Sequence, residues 1–208
     1  MRPDRRLLLG GALAALLAPV SAGAAPSFAA VSAPIAALNA GLIGVMKAGK
    51  ESPFDKRFAM LEPIVVKVFD LPHILAMSVG FGWPTLKPAE QKSLLSVFRQ
   101  YTVASYVANF KSYDGEQFRV LPKLRSVGVQ QVVATEIVPR NGKPTRIDYV
   151  MRQNGTIWQA VDVLLDGTIS QVAVQRSDFH SFLASGGAAA LIAALRKKVA
   201  SLSGGALS

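Results

Sequence analysis

Between Phe110 and Phe118 the spacing of apolar residues in this chain changes from three-or-four to two. That switch separates a helical first part from a sheet-forming second part. Downstream, strands are predicted over Phe118 to Leu121, Val127 to Val138, Thr145 to Arg152, Thr156 to Leu165 and Thr168 to Gln175, separated by Asn141-Gly142, Asn154-Gly155 and Asp166-Gly167. Asn-Gly and Asp-Gly accept the positive φ of tight hairpin turns, so consecutive strands must pair antiparallel. In the third strand Ile147, Tyr149 and Met151 share one face, while Arg146, Asp148 and Arg152 take the other. Such a sheet is wet on one side and needs apolar cover on the other.

The cover comes from segments with helical spacing. Phe28, Val31, Ile35, Leu38, Leu42 and Val45 fall on one helical face despite Pro34, and Gly49 ends that helix. Ser52-Pro53-Phe54-Asp55 reads as a helix start, with a hydroxyl cap, a proline in the first turn and a carboxylate at the positive end of the dipole. Phe54, Phe58, Leu61, Val65 and Val68 continue it as a stripe, with a kink predicted at Pro63. Asp70 caps a short helix carrying Leu71, Ile74, Leu75 and Met77, which Gly80-Phe81-Gly82 closes. A long helix runs from Pro88 to about Phe110 with Leu94, Phe98, Tyr101 and Ser105 on one face. Two more helices, Ser177 to Leu183 and Ala188 to Val199, follow the strands. The expectation is one α+β domain over residues 25–198: N-terminal helices packed on one face of a curved antiparallel sheet of about five strands, closed by C-terminal helices. A flexible tail is expected over 199–208.

Arg2, Arg5 and Arg6 precede an apolar stretch from Leu7 to Val20, and Ala22-Gly23-Ala24 supplies small residues for cleavage. That stretch is shorter than the ~20 residues a bilayer core demands, so residues 1–24 read as a cleaved export signal. The Arg5-Arg6 pair leaves both the general and the twin-arginine routes open. No later segment reaches 18 uninterrupted apolar residues, so the mature protein is expected to be soluble. The formal charge is +10, from 23 basic and 13 acidic residues. Losing three arginines and one aspartate with the signal leaves +8, which favours anionic partners.

Few chemistries survive this composition. With no cysteine the chain can form no disulfide, thiolate metal site or acylated lipoprotein anchor, and His73 and His180 alone do not suggest a metal centre. No phosphate loop, nucleophile elbow or paired-carboxylate metal motif occurs. Arg196-Lys197-Lys198 ends a helix, where cations are expected, and aromatics do not alternate with basic residues, so no nucleic-acid partner is predicted. Asp162, set within an apolar strand, is the one conspicuous acid. Either it is a structural carboxylate, capping backbone or paired with Arg176, or it is a general base. In the second case the protein would be a small cone-shaped α+β isomerase or dehydratase acting on an apolar substrate, with Tyr149 or Tyr101 as hydrogen-bond donor.

Several short runs in order carry a family likeness. Phe54-Asp55-Lys56-Arg57-Phe58, Val68-Phe69-Asp70-Leu71, Gly82-Trp83, Pro88-Ala89-Glu90-Gln91 and Phe98-Arg99-Gln100-Tyr101, then Trp158, Asp162-Val163, Asp166-Gly167-Thr168-Ile169-Ser170, Arg176-Ser177-Asp178-Phe179 and Leu191-Ile192, resemble the MlaC-type lipid-transport proteins, also called the toluene-tolerance auxiliary family. Lys87 departs from the helix-capping serine usual there. The run from Tyr101 to Phe110 is similar to the branch associated with hopanoid biosynthesis. The resemblance implies a periplasmic, monomeric, non-enzymatic carrier without cofactor or metal. It would hold the acyl chains of a phospholipid, or a hopanoid-type lipid, between helices and sheet. Its partners would be an inner-membrane ABC-type lipid transporter and an outer-membrane lipoprotein complex, with transient contact to the membrane surface. Val65, Leu75, Phe98, Tyr101, Ile147, Tyr149, Val161 and Val163 are the residues whose apolar faces are expected to converge on such a cavity.

Overall fold

A computed structural model describes residues 26–207; the predicted export signal lies outside the described residues. Four helices come first: α1 (Phe28–Ala48), α2 (Phe54–Val68), α3 (Leu71–Val79) and, after a 3₁₀ turn over Gly80–Thr85, α4 (Pro88–Asn109). Then follow β1 (Gln117–Val127), β2 (Gln130–Val138), β3 (Thr145–Asn154), β4 (Ile157–Leu165) and β5 (Ile169–Ser170), and finally α5 (Gln171–Ser203). The five strands form one open antiparallel sheet in sequence order, as tight hairpins require. The fold is α+β, with the helices on the inner face of the sheet.

Local chemistry sets the helix ends. Ser27 Oγ accepts from Ala30 N at 3.2 Å, and Asp70 Oδ1 accepts from His73 N at 3.1 Å. At α4 the Lys87 N–H donates to Glu90 Oε2 at 2.8 Å, so the first-turn glutamate does the work a serine cap would otherwise share. The expected hydroxyl cap of α2 is not made: Pro53 occupies the cap position, and the Ser52 carbonyl accepts from Arg57 Nε at 3.2 Å instead. Arg57 is itself 8% exposed, its Nη1 reaching the Val107 carbonyl at 3.4 Å in the last turn of α4.

One stripe from each element meets in the core. Val31, Ile35, Leu38 and Leu42 of α1 pack with Leu61 and Val65 of α2, Leu75 of α3, Leu94 and Phe98 of α4, Leu191 and Leu195 of α5, and Val133, Met151 and Ala160 of the sheet. Two irregularities curve that sheet. Between Val120 and Leu124 β1 outruns its partner around Pro122, which has no N–H to give to a ladder. In β4 the register against β3 jumps from Val150↔Asp162 to Met151↔Ala160, leaving Val161 as an extra residue.

The C-terminal segment differs most from expectation. Thr168 to Gln175 is not a strand: Ile169 and Ser170 alone pair with β4, and Ser170 Oγ then accepts from Ala173 N at 3.0 Å to start α5. The two predicted closing helices are both present, as the halves of α5 on either side of a break at Gly186 (φ −163°, ψ 22°) and Gly187 (φ 62°, ψ −152°), but the first starts earlier than Ser177, at Gln171. The expected tail begins later than residue 199, because the helix continues to Ser203 and Val199 is 2% exposed.

Candidate functional site

Helices and sheet do not close completely on one another. A cavity of about 560 Å³ remains between α3, α4 and α5 on one side and the inner faces of β3 and β4 on the other. This is within the ~300–1,000 Å³ range of ligand pockets. Cross-strand pairs build its sheet wall: Ile147 stands opposite Leu165, and Tyr149 opposite Val163. Phe98, Tyr101 and Tyr106 of α4, with Phe110 just past its end, build the facing wall, with Phe69, Leu71 and Ile74 at the α2–α3 corner. The rings lock this lining together. Phe69 lies 5.6 Å from Tyr106 and 6.3 Å from Tyr149, Tyr106 stacks on Phe110 at 6.1 Å, and Phe98 tilts against Tyr101 at 6.4 Å.

Polar side chains in this lining are mostly turned away or satisfied. Thr102 Oγ1 donates to the Phe98 carbonyl at 2.9 Å and Ser105 Oγ to the Tyr101 carbonyl at 2.8 Å, each on its own helix. Gln175 Oε1 accepts from Ser78 Oγ at 3.0 Å. Tyr106 and Tyr149 share a side-chain hydrogen bond, and burial pushes both phenols well above the ordinary tyrosine range. They therefore stay neutral and offer dipoles, not charge, to whatever fills the space. Asp162 and Lys198 are the charged members of the lining.

Asp162 is spoken for. Its Oδ1 accepts from Val163 N at 2.7 Å and Val172 N at 3.1 Å, and its Oδ2 accepts from Ser170 Oγ. Ser170 in turn caps α5, so the carboxylate sits at the positive end of that helix. The expected Asp162–Arg176 pair does not form. Arg176 Nε and Nη2 both donate to the Met77 carbonyl, at 2.9 and 2.7 Å, filling an acceptor that the end of α3 leaves open. Backbone groups satisfy both side chains instead, amide N–H donors for Asp162 and a carbonyl acceptor for Arg176.

Of the eight residues predicted to converge, Phe98, Tyr101, Ile147, Tyr149 and Val163 line the cavity. Val65 and Leu75 do not; both are fully buried behind it in the core. Val161, at 5% exposure, is the extra residue of the β4 bulge, which breaks the alternation that would have set it beside Val163. Sequence reasoning passed over Phe69, Tyr106 and Phe110. Tyr106 was within reach, since it lies about two helical turns beyond Phe98 on α4; Phe69 was not, because its place comes from a parallel bridge to Ala160.

A second polar cluster ties α3 to β3. Arg152 Nη2 donates to Asp70 Oδ2 at 2.7 Å, and its Nη1 lies 3.1 Å from His73 Nδ1. Among the described residues no group of three or more His, Cys, Asp or Glu could hold a metal ion.

A sequence profile described as MlaC protein matches residues 37–197. No curated protein matches the chain at a significant level. Among solved structures, a phospholipid-binding protein from Ralstonia solanacearum, in complex with a phospholipid, aligns with a TM-score of 0.71 at 17% identity, covering 83% of this chain and 98% of its own. At that identity the likeness concerns the fold.

Proposed function

Because this chain belongs to the MlaC family, we propose that it is a periplasmic lipid carrier, moving phospholipid between inner- and outer-membrane complexes. The observation that carries this reading is the apolar cavity of about 560 Å³ between helices and sheet. The solved phospholipid-binding protein of the same fold supports it.

The energetics suit a shuttle. Two acyl chains with ~28 methylenes represent ~22 kcal/mol against water, at about 0.8 kcal/mol per methylene. Such a ligand does not cross an aqueous compartment unsheltered. Transfer from a bilayer into an aromatic and aliphatic pocket exchanges one hydrocarbon environment for another, so the carrier can both load and unload. Neutral Tyr106 and Tyr149 keep charge away from the tails. The enzyme alternative fits less well, since the oxygens of Asp162 are occupied in holding the start of α5. The likeness over Tyr101 to Phe110 keeps a hopanoid-type lipid beside phospholipid as cargo.

Native mass spectrometry with lipid extraction of the purified protein tests this. A bound species of phospholipid or hopanoid mass is expected; a chain that is empty and takes up no lipid from vesicles overturns the reading. Ile147→Trp, which fills the cavity from β3, should reduce bound lipid while leaving the unfolding midpoint close to wild type. Leu75→Trp, in the packed core, should instead destabilise by about 1–3 kcal/mol through overpacking. Equal loss of stability in both variants would place Ile147 in the core.

A further inference from the structure

The cavity is apolar within but not electrically symmetric at its rim. Of its two charged lining residues, Asp162 accepts three hydrogen bonds from backbone and hydroxyl donors and faces the positive end of α5. A carboxylate held there does not attract an anionic headgroup. Lys198 is the opposite case. Its side chain is 44% exposed, and its Nζ lies 3.9 Å from Asp178, a carboxylate that is itself 52% exposed. A pair that long and that wet holds its partners weakly.

Tyr101 positions the ammonium. Lys198 Nζ stands 5.6 Å from the centre of the Tyr101 ring, and that ring lines the cavity. The lysine stem thus runs along an aromatic wall while its head stays at the water boundary. Ser201, on the next helical turn, lines the same edge. The exposed Arg196 and Lys197 precede Lys198 on α5 and raise the local positive potential.

We infer that Lys198 binds the phosphate of the lipid headgroup at the cavity mouth, so that the site selects amphiphiles with an anionic group next to their tails. This rests on the carrier reading and adds to it a residue and a ligand chemistry. Bound phosphate replaces Asp178 as the partner of the ammonium. Asp178 therefore acts as a stand-in anion in the empty protein and a competitor during loading.

Loading of delipidated full-length protein from phosphatidylcholine vesicles doped with fluorescent phosphatidylglycerol, or with fluorescent diacylglycerol of the same acyl chains, tests this. Wild type should retain the phosphatidylglycerol in preference. Lys198→Gln should cut its retention about five-fold, the scale of one exposed charge contact, and leave diacylglycerol unchanged. Lys198→Arg should restore the preference, and Asp178→Asn should enhance it. An equal fall for both lipids in Lys198→Gln would make the lysine a packing residue against Tyr101 and overturn the inference, as would no change for either. A thermal shift with inorganic phosphate that depends on Lys198, without any phosphatidylglycerol preference, would identify a free-phosphate site and overturn it too. Wild type that loads neither lipid would defeat the carrier reading along with it.

Discussion

Asp148 lies on the outer face of β3, yet its side chain is 1% exposed, because Arg146 covers it with bonds of 2.9 and 3.1 Å and Arg125 of β1 stands at 4.0 Å. The arginine is 52% exposed, so losing the carboxylate would strand little. Losing Arg146 leaves a buried acceptor short of donors, and that asymmetry sets the expected cost. Arg146→Met should lower the free energy of unfolding by roughly 1–3 kcal/mol, read by urea titration, whereas Asp148→Asn should cost less. The reverse ranking would remove burial as the cause. His73 offers a test by pH. Its pKa is lowered from the ordinary 6.5 by burial first and by Arg152 second, with Asp70 opposing. The unfolded chain therefore takes up the proton first as pH falls, so the contribution of His73 is present above about 6.5 and is lost as pH drops through the lowered native value. His73→Gln, which keeps an acceptor for Arg152, should lose less stability than wild type between about pH 7 and pH 5. Parallel curves for the two proteins would show that His73 titrates alike in both states.

The break in α5 is where one element forms two parts of the cavity wall: Gln171, Val172 and Gln175 before it, Lys198, Ser201 and Leu202 after it. At Gly187 φ is 62° and ψ is −152°, a region essentially closed to side chains. Gly187→Ala should therefore cost about 1–3 kcal/mol. Gly44, within α1 and with nothing within 4 Å of an added Cβ, supplies the contrast. Gly44→Ala should add about 0.5–1 kcal/mol by helix propensity. Denaturant midpoints that move the same way would mean the break tolerates any small residue. The gap between the two halves of α5, like the limits of α1 to α4, was legible in the sequence because caps, prolines and apolar stripes act within a few residues. The start of α5 was not. Ile169, Val172 and Val174 sit among polar residues much as a strand would, and the helix begins there because Asp162, eight residues back and on another element, holds Ser170 and Val172 N. The bulge at Val161 was hidden for a similar reason, since register depends on both strands. Five cavity residues could be read from local faces, whereas those set by the bulge or by the Phe69–Ala160 bridge required the assembled sheet.

Across the whole molecule, charge and cavity would divide the work of the proposed carrier. The basic surplus of +10, or +8 without the proposed export signal, is spread over exposed side chains such as Lys47, Lys50, Lys56, Lys111, Arg119, Lys123 and Arg125, rather than gathered in one binding patch. Arg57 does not belong to that set, because it is buried and bonded to backbone carbonyls of the α1–α2 connection and α4. Diffuse charge of one sign raises the rate of encounter with anionic surfaces and is screened within about 10 Å at 0.1 M salt. Burial of tails in the cavity would be uncharged and hardly respond to salt, and the proposed contact at Lys198 would be partly screened already by its exposure. Raising ionic strength should therefore slow transfer of lipid to anionic acceptor vesicles while the isolated protein keeps nearly the same amount of bound lipid. The two quantities separate cleanly because one is a rate between molecules and the other an equilibrium within one. Transfer followed by dequenching of a fluorescent phospholipid between about 20 and 500 mM salt, roughly 20 to 4 Å of screening length, measures the first, and lipid extraction after gel filtration measures the second. Rates that ignore salt would reduce the surplus charge to a solubilising role, and lipid lost from the isolated protein at high salt would place ionic contacts, not hydrocarbon burial, at the centre of retention.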